Sequence, residues 1–286
     1  MNSLAKAAIR AGLDLGHRVL PQGMYARFYN FGFRIYKNRL HTRYYRGVIR
    51  ARSRGDTPAA QRAEWVYEVM PYSLVGASGL EATYDLATAV VHRGLDGAFV
   101  ECGVAQGGCA ALMARIAANE GKHRHCWFFD SYEGLPHPTD DDYAAGRTGN
   151  HVRPLPRGAC LGSYEQVSRL LFERFQLPWE DITLVKGWFQ DALPETRGGI
   201  GPIALLRLDG DWYESTRCCL VNLYDQVVEG GYLVIDDYFT CYGAAKATDE
   251  FRAARGIATQ ITPDGRGGCS FRKPCRDNGE RRIGHG

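Results

Sequence analysis

The stretch "GAFVECGVAQGG" occupies residues 97–108, and its reading decides the fold. An apolar run with one acid, Glu101, ends at Gly103, and Gly107 and Gly108 follow closely. Glycines there permit a tight strand-to-helix turn and close approach of backbone. A helix is expected near 107–120. The same order of apolar run and helical stretch recurs downstream. Strands are expected over 124–131, 181–188, 203–210 and 231–238, with helices near 163–175, 214–229 and 243–256. These runs are almost continuously apolar, as in a parallel sheet covered on both faces. Alternation of strand and helix therefore predicts a doubly wound α/β fold.

Working outward, "PAAQRAEWVYEVM" (58–70) and "LEATYDLATAVVHRGL" (80–95) have helical periodicity, the second ending at Gly94. The stretch "ATQITPDGRGGCSFRKP" (258–274) predicts a terminal pair of hairpin strands around a glycine-rich turn. The segment 133–162 is rich in Pro, Gly and Asp. A loop of that length in a compact domain has a functional use or is disordered. It follows the second strand, on the face where α/β sheets bind ligands, so a lid is expected.

The chain has 286 residues, 45% hydrophobic and 12% aromatic, enough for one large domain with an extension. The expected division is a basic, aromatic helical extension (1–56), a catalytic domain (57–276) and a disordered tail (277–286). Residues 1–55 hold twelve Lys or Arg against one acid, Asp14, for a net +11; with +3 overall, the remainder carries −8. Such an arm suits packing on the main domain or peripheral contact with an anionic membrane surface. No nucleic-acid module signature accompanies it, so no nucleic-acid partner is expected. No run of 18 apolar residues exists, and Arg10, Asp14 and Arg18 interrupt any signal-peptide core. Nine cysteines without a CxxC pair fit a reducing, cytoplasmic compartment.

The glycine turn is a weak dinucleotide fingerprint, because Ala105 stands where GxGxxG needs glycine. Glu101 would crowd a pyrophosphate and suits a cationic ligand instead. S-adenosylmethionine, with its sulfonium and ammonium groups, is such a ligand. Asp130 ends the second strand, where this architecture places an acid on ribose hydroxyls. A helix cap is the plainer use of Glu101.

A second concentration of acids lies at the ends of later strands. "LLRLDGDWYEST" (205–216) delivers Asp209 and Asp211, and "YLVIDDYF" (232–239) delivers Asp236 and Asp237. Neighbouring parallel strands lie about 4.8 Å apart and end on one face, so these carboxylates converge. Mutual repulsion would raise their pKa values unless a cation sits among them. Hard oxygen ligands argue for Mg²⁺, with Mn²⁺ or Ca²⁺ as substitutes. Asp211 lies past Gly210, off the strand line, and is placed to act as general base. Helix capping accounts for one of these acids at most. Arg207, a charge inside the apolar run, has no partner evident from the sequence.

The motifs "FVECGVAQGG", "FFDSYEGLP", "VKGWFQDALP", "LLRLDGDWYEST" and "GGYLVIDDYF…GAAKATDEF" together resemble the macrocin O-methyltransferase (TylF-like) family over about residues 65–255. The resemblance implies a class I methyltransferase fold with an antiparallel last strand. It implies transfer of a methyl group from S-adenosylmethionine to a sugar hydroxyl of a glycosylated natural product or glycan, with Mg²⁺ held by Asp209, Asp236 and Asp237 and with Asp211 as the base. Glu101, Gly103, Asp130 and Ser131 would contact S-adenosylmethionine. Trp188 and Phe189 would line the adenine side, and Gly107 would shape the turn. Tyr72, Ser73 and Leu74 match the family's cofactor-covering lead-in more loosely. The resemblance also implies a homo-oligomer. A catechol-type methyltransferase on a phenolic diol shares the strand-end acids, and a nicotinamide oxidoreductase or a non-catalytic scaffold are the remaining alternatives. Gln106 and Cys109 depart from the family's first turn, and the basic extension is unusual for it.

Overall fold

The computed structural model describes residues 19, 22–143, 151 and 154–275. Residues 1–18 of the basic arm, part of the lid segment and the tail 277–286 lie outside the described residues. The described chain falls into two compact units that divide between Ala63 and Glu64. In the first, helix α1 (Gln22–Ser53) ends with Arg50 and Arg52 in its last turn, where cations complement the helix dipole. Helix α2 (Thr57–Val69) follows, and the division falls within it. No described helix is long and apolar enough to cross a membrane.

The second unit is built on a sheet. Strands β1 (Ala98–Cys102), β2 (Cys126–Asp130), β3 (Ile182–Lys186), β4 (Ile203–Leu208) and β5 (Val227–Ile235) pair in parallel. Strands β6 (Thr262–Pro263) and β7 (Cys269–Arg272) close one edge, with β7 antiparallel to β5. The order β3-β2-β1-β4-β5-β7-β6 reverses direction between β1 and β4, which opens a crevice at their C-terminal ends. The doubly wound sheet and its terminal hairpin are as the sequence leads one to expect.

Helices α3 (Ala77–His92) and α4 (Gly108–Ala118) pack on each other and on one face of the sheet. Nearly all of α4 is buried; Ala118 is exposed at its end, and the partly exposed Arg115 pairs with Glu68 and stacks over Trp65. A short helix α5 (Tyr164–Ser168) runs on as a π-helical turn to Arg174. The opposite sheet face carries α6 (Phe189–Ile200), α7 (Tyr213–Leu223) and α8 (Tyr242–Ala254). There Leu193, Leu220 and Leu223 meet Val100, Leu206 and Leu233 in the main core.

Two elements differ from expectation. Helix α6 makes the crossover between β3 and β4, where none is expected from the sequence; Pro194 lies inside it, and Gly198 and Gly199 weaken its helical pattern. The helix expected to run to 229 ends at Leu223, and β5 starts at Val227 and includes Gly230 at φ 73°.

Register places the site. Glu101 lies beside Arg207 on the neighbouring strand, and Arg207 beside Val234. The ladder continues past the strand ends, since the Asp209 amide donates to Cys102 O (2.8 Å) and the Asp236 amide to Leu208 O (2.9 Å). Side chains alternate along a strand, so Glu101, Arg207, Asp209 and Asp236 share one face.

Candidate active site

The turn after β1 is held from the second strand. Asp130 Oδ2 accepts the amides of Val104 (2.8 Å) and Ala105 (2.9 Å), and its Oδ1 accepts that of Tyr132 (2.7 Å). Burial raises the Asp130 pKa, and these three amides oppose the rise. Gly103, at φ 95°, is required: a Cβ there would stand 1.9 Å from the Asp209 carbonyl oxygen. The ends of β1 and β4 therefore touch through backbone.

Arg207 receives its partners here. It is fully buried, and its Nη1 donates to Glu101 Oε1 (3.0 Å) and Asp209 Oδ2 (2.8 Å). Its Nη2 donates to Asp236 Oδ1 (2.5 Å). Arg266, at the tip of the β6–β7 hairpin, donates from Nη1 to the other oxygen of Asp236 (2.6 Å). Asp237 Oδ1 accepts the Thr240 hydroxyl (2.8 Å), and the Cys241 thiol donates to Asp211 Oδ1 (3.8 Å). One ligand atom from each of Asp209, Asp236 and Asp237 lies within 4.8 Å of the others. Asp211, Asp237 and Cys241 form a second such group.

Burial is the largest cause of the pKa shifts in this cluster. It raises Glu101 from 4.5 to about 8, against the pull of Arg207. Asp209 and Asp211 rise well above the usual carboxylate range, through burial and then through repulsion from Asp236 and Asp237 respectively. Asp237 rises too, from burial and Asp236.

Asp211 leaves the strand line as expected, with φ 56° in the left-handed region. It does not cap α7: Trp212 is the N-cap residue, and the Tyr213 amide donates to Asp142 Oδ1 (2.7 Å). Asp142, a buried residue of the lid segment itself, also accepts the Thr139 amide (2.7 Å). Glu101 does not cap α4, whose N-cap is Gly107.

A cavity of about 620 Å³ opens over these strand ends. Gly103, Asp130, Ser131, Trp188 and Phe189 line one part, and Asp209, Asp211, Asp236 and Asp237 another. Of the lead-in segment, Leu74 and Val75 line it, whereas Tyr72 and Ser73 do not. Glu101 lies behind the wall, 1% exposed, and Gly107 turns toward Val167 and Leu170. Described parts of the lid segment contribute Gly134, Leu135, His137, Asp142, Arg157 and Cys160. Sequence reasoning missed Arg266, Asp142 and Thr240. Their spacings from their partners show no periodicity, and only Arg207, an arginine amid apolar residues, signalled a hidden partner.

The model of the Macrocin-O-methyltransferase (TylF) family matches residues 33–273. The demethyldecarbamoylnovobiocin O-methyltransferase of Streptomyces niveus is 35% identical over 203 residues, 71% of this chain and 76% of that protein. The 8-demethyl-8-(2,3-dimethoxy-alpha-L-rhamnosyl)-tetracenomycin-C 4'-O-methyltransferase of Streptomyces olivaceus is 33% identical, covering 68% of this chain and 74% of that one. The solved O-methyltransferase NovP superposes with a TM-score of 0.63 at 33% identity, covering 71% of this chain and 83% of that chain. On these matches the chain belongs to the macrocin O-methyltransferase (TylF) family of S-adenosylmethionine-dependent O-methyltransferases.

Proposed function

We propose that this enzyme methylates a hydroxyl on the sugar of a glycosylated natural product, using a divalent cation held by Asp209, Asp236 and Asp237. The observation that carries the metal is their convergence from two adjacent strands, with ligand atoms within 4.8 Å of one another. The donor set fits Mg²⁺, since all three offer hard oxygens. Charge fits as well. Glu101, Asp209, Asp211, Asp236 and Asp237 bring five negative charges when ionised, and Arg207 and Arg266 offset two. The excess of three suits a dication beside a sulfonium. The sugar rests on the S. olivaceus relative, whose name specifies a rhamnosyl group and a 4'-O position.

S-adenosylmethionine supplies the methyl group on a sulfonium, and the cation supplies Lewis-acid polarisation of the acceptor hydroxyl. The chain does the rest. Asp130 holds the turn at Val104 and Ala105 that shapes the cofactor side, with Gly103, Ser131, Trp188 and Phe189 along the cavity wall. Glu101 acts from behind, through Arg207. Asp211, with a pKa already raised by burial and its acidic neighbours, takes the acceptor proton on a carboxylate oxygen. Holding acceptor oxygen and methyl carbon at attack distance contributes up to roughly 7–11 kcal/mol in well-oriented systems.

The test is a methyl-transfer assay with rhamnosides and, separately, simple catechols. Turnover on the glycosides, abolished reversibly by chelator and permanently by Asp236→Ala with Asp237→Ala, is expected. Full activity in excess EDTA would remove the metal, and a preference for catechols would remove the sugar.

A further inference from the structure

Arg266 is the half-exposed cation of the cluster, and the hairpin that carries it is built to hold it there. Asp264 Oδ1 accepts the amides of Arg266 (2.7 Å), Gly267 (2.9 Å) and Gly268 (3.0 Å), which folds the turn tightly. The turn is pressed on the loop after β5. The Phe239 amide donates to Gly267 O (2.7 Å), and a Cβ on Gly268 would stand 2.6 Å from Asp236 O. The Arg266 stem crosses Gly76 and Gly79 at the start of α3, where added Cβ atoms would stand 3.5 Å from its Cδ. At that distance a Cβ makes an ordinary contact, so the channel the arm follows from hairpin tip to acid cluster does not depend on glycine.

Along that channel the guanidinium reaches Asp236 from the cavity side. Arg207 already holds Oδ1 from within the sheet, and Arg266 takes Oδ2. The two arginines differ in burial. The Arg207 side chain is 0% exposed and cannot leave without stranding three acids, whereas that of Arg266 is 29% exposed and lines the cavity. Both oxygens of one proposed metal ligand are therefore occupied by positive groups, one fixed and one free to move into open space.

We propose that Arg266 is a displaceable counter-cation that competes with the divalent ion for Asp236 and so sets the cluster's affinity for metal. The inference rests on the metal reading of Asp209, Asp236 and Asp237. A positive charge beside a cation site opposes loading by direct repulsion and by holding a ligand oxygen. In its absence Asp236 Oδ2 is left to the ion, while Arg207 still holds Asp236 Oδ1 and Asp209. The arm thus keeps the acid cluster partly neutralised until a cation replaces it.

Mn²⁺ titration of the full chain without S-adenosylmethionine, followed by calorimetry and by the spin resonance of free Mn²⁺, tests this without reference to turnover. Arg266→Gln is expected to bind Mn²⁺ about tenfold more tightly than the wild type, the size expected for losing one nearby like charge in a partly solvated site. Arg266→Lys keeps the charge and should stay within about twofold of the wild type. Both variants must retain the wild-type far-UV spectrum; if Arg266→Gln loses it, Arg266→Met takes its place. Equal or weaker Mn²⁺ binding by the neutral variant overturns the proposal while leaving the metal reading intact. Absence of Mn²⁺ binding in wild type and variants alike overturns both.

Discussion

Asp130 at the end of β2 and Asp209 and Asp236 at the ends of β4 and β5 hold equivalent positions in the sheet, yet their charges are managed differently. Asp130 accepts three backbone amides at 2.7–2.9 Å, so dipoles fixed by the fold surround it. Asp209 and Asp236 depend on Arg207, which they share with Glu101, and Asp236 also on Arg266. Amides neutralise nothing but can be aimed, which suits an acid that shapes a turn. Guanidinium groups supply charge that is outnumbered here, which suits a site meant to take in more. The fold thus makes one strand-end acid a structural fixture and leaves the others reactive.

That contrast breaks first at Asp211. Asp211→Asn removes the base without altering the amide-held side, so the rate should fall about 10²–10⁴-fold, the usual contribution of general base catalysis. Affinity for S-adenosylhomocysteine, measured by calorimetry, should stay unchanged. An unaltered rate removes Asp211 as the base.

Arg207→Met attacks the fixed charge. It strands Glu101, Asp209 and Asp236 beside one another with no buried cation, and breaking a buried pair in this way costs about 3–5 kcal/mol. At roughly 2–4 °C per kcal/mol for a domain of this size, the Tm should drop by roughly 6–20 °C. Arg207→Lys should recover only part of this, because one ammonium cannot reproduce a fork of donors aimed at three carboxylates. A Tm within about 2 °C of the wild type for Arg207→Met would show that the acids are neutral without the arginine.

Asp130→Asn sharpens the other side. An amide has one acceptor oxygen, so its NH₂ group must face either the Tyr132 amide or the pair from Val104 and Ala105. Leaving a buried donor unmet costs about 1–3 kcal/mol, readable as a shift in the urea midpoint. Stabilisation by Mn²⁺ should survive in this variant, because the cation side is untouched. Loss of the Mn²⁺ effect would mean that the two groups of acids act as one.

These partnerships also mark the limit of what the sequence discloses. Parallel strands end together, so Asp209, Asp236 and Asp237 could be brought side by side from their strand-end positions alone. The Pro, Gly and Asp content of 133–162 marked it as a long loop, and its described parts line the cavity. Arg207 stood out, but two of its three partners come from other strands, 106 positions away for Glu101 and 29 for Asp236. Only the register of β1, β4 and β5 chooses them. Asp142 in the run "DDD" reads as a solvated loop acid, yet it is buried and takes an amide 71 positions on. Helix α6 was hidden by its own Pro194, since proline is counted against a helix wherever the crossover demands one.

Glu101 sits behind both regions and offers the finest test of the comparison. Its Oε1 is bonded to Arg207, and its Oε2 is buried with no hydrogen-bond partner among the described residues. Burial lifts its pKa from 4.5 to about 8. The folded chain then keeps a proton that the unfolded chain has released over that window, so stability falls as pH rises from about 4.5 to about 8. One proton held in the folded state alone corresponds to at most about 1.4 kcal/mol per pH unit. Glu101→Gln fixes the side chain neutral and should flatten this part of the profile. Urea unfolding of both proteins at several pH values, in chelator and without cofactor, measures the slopes. If they coincide, the Arg207 bond outweighs burial, Glu101 is ionised, and the arginine is fully matched before any cation arrives. If the wild type loses stability more steeply than the variant, Glu101 carries the proton and Arg207 is left to Asp209 and Asp236, the two acids on the reactive side.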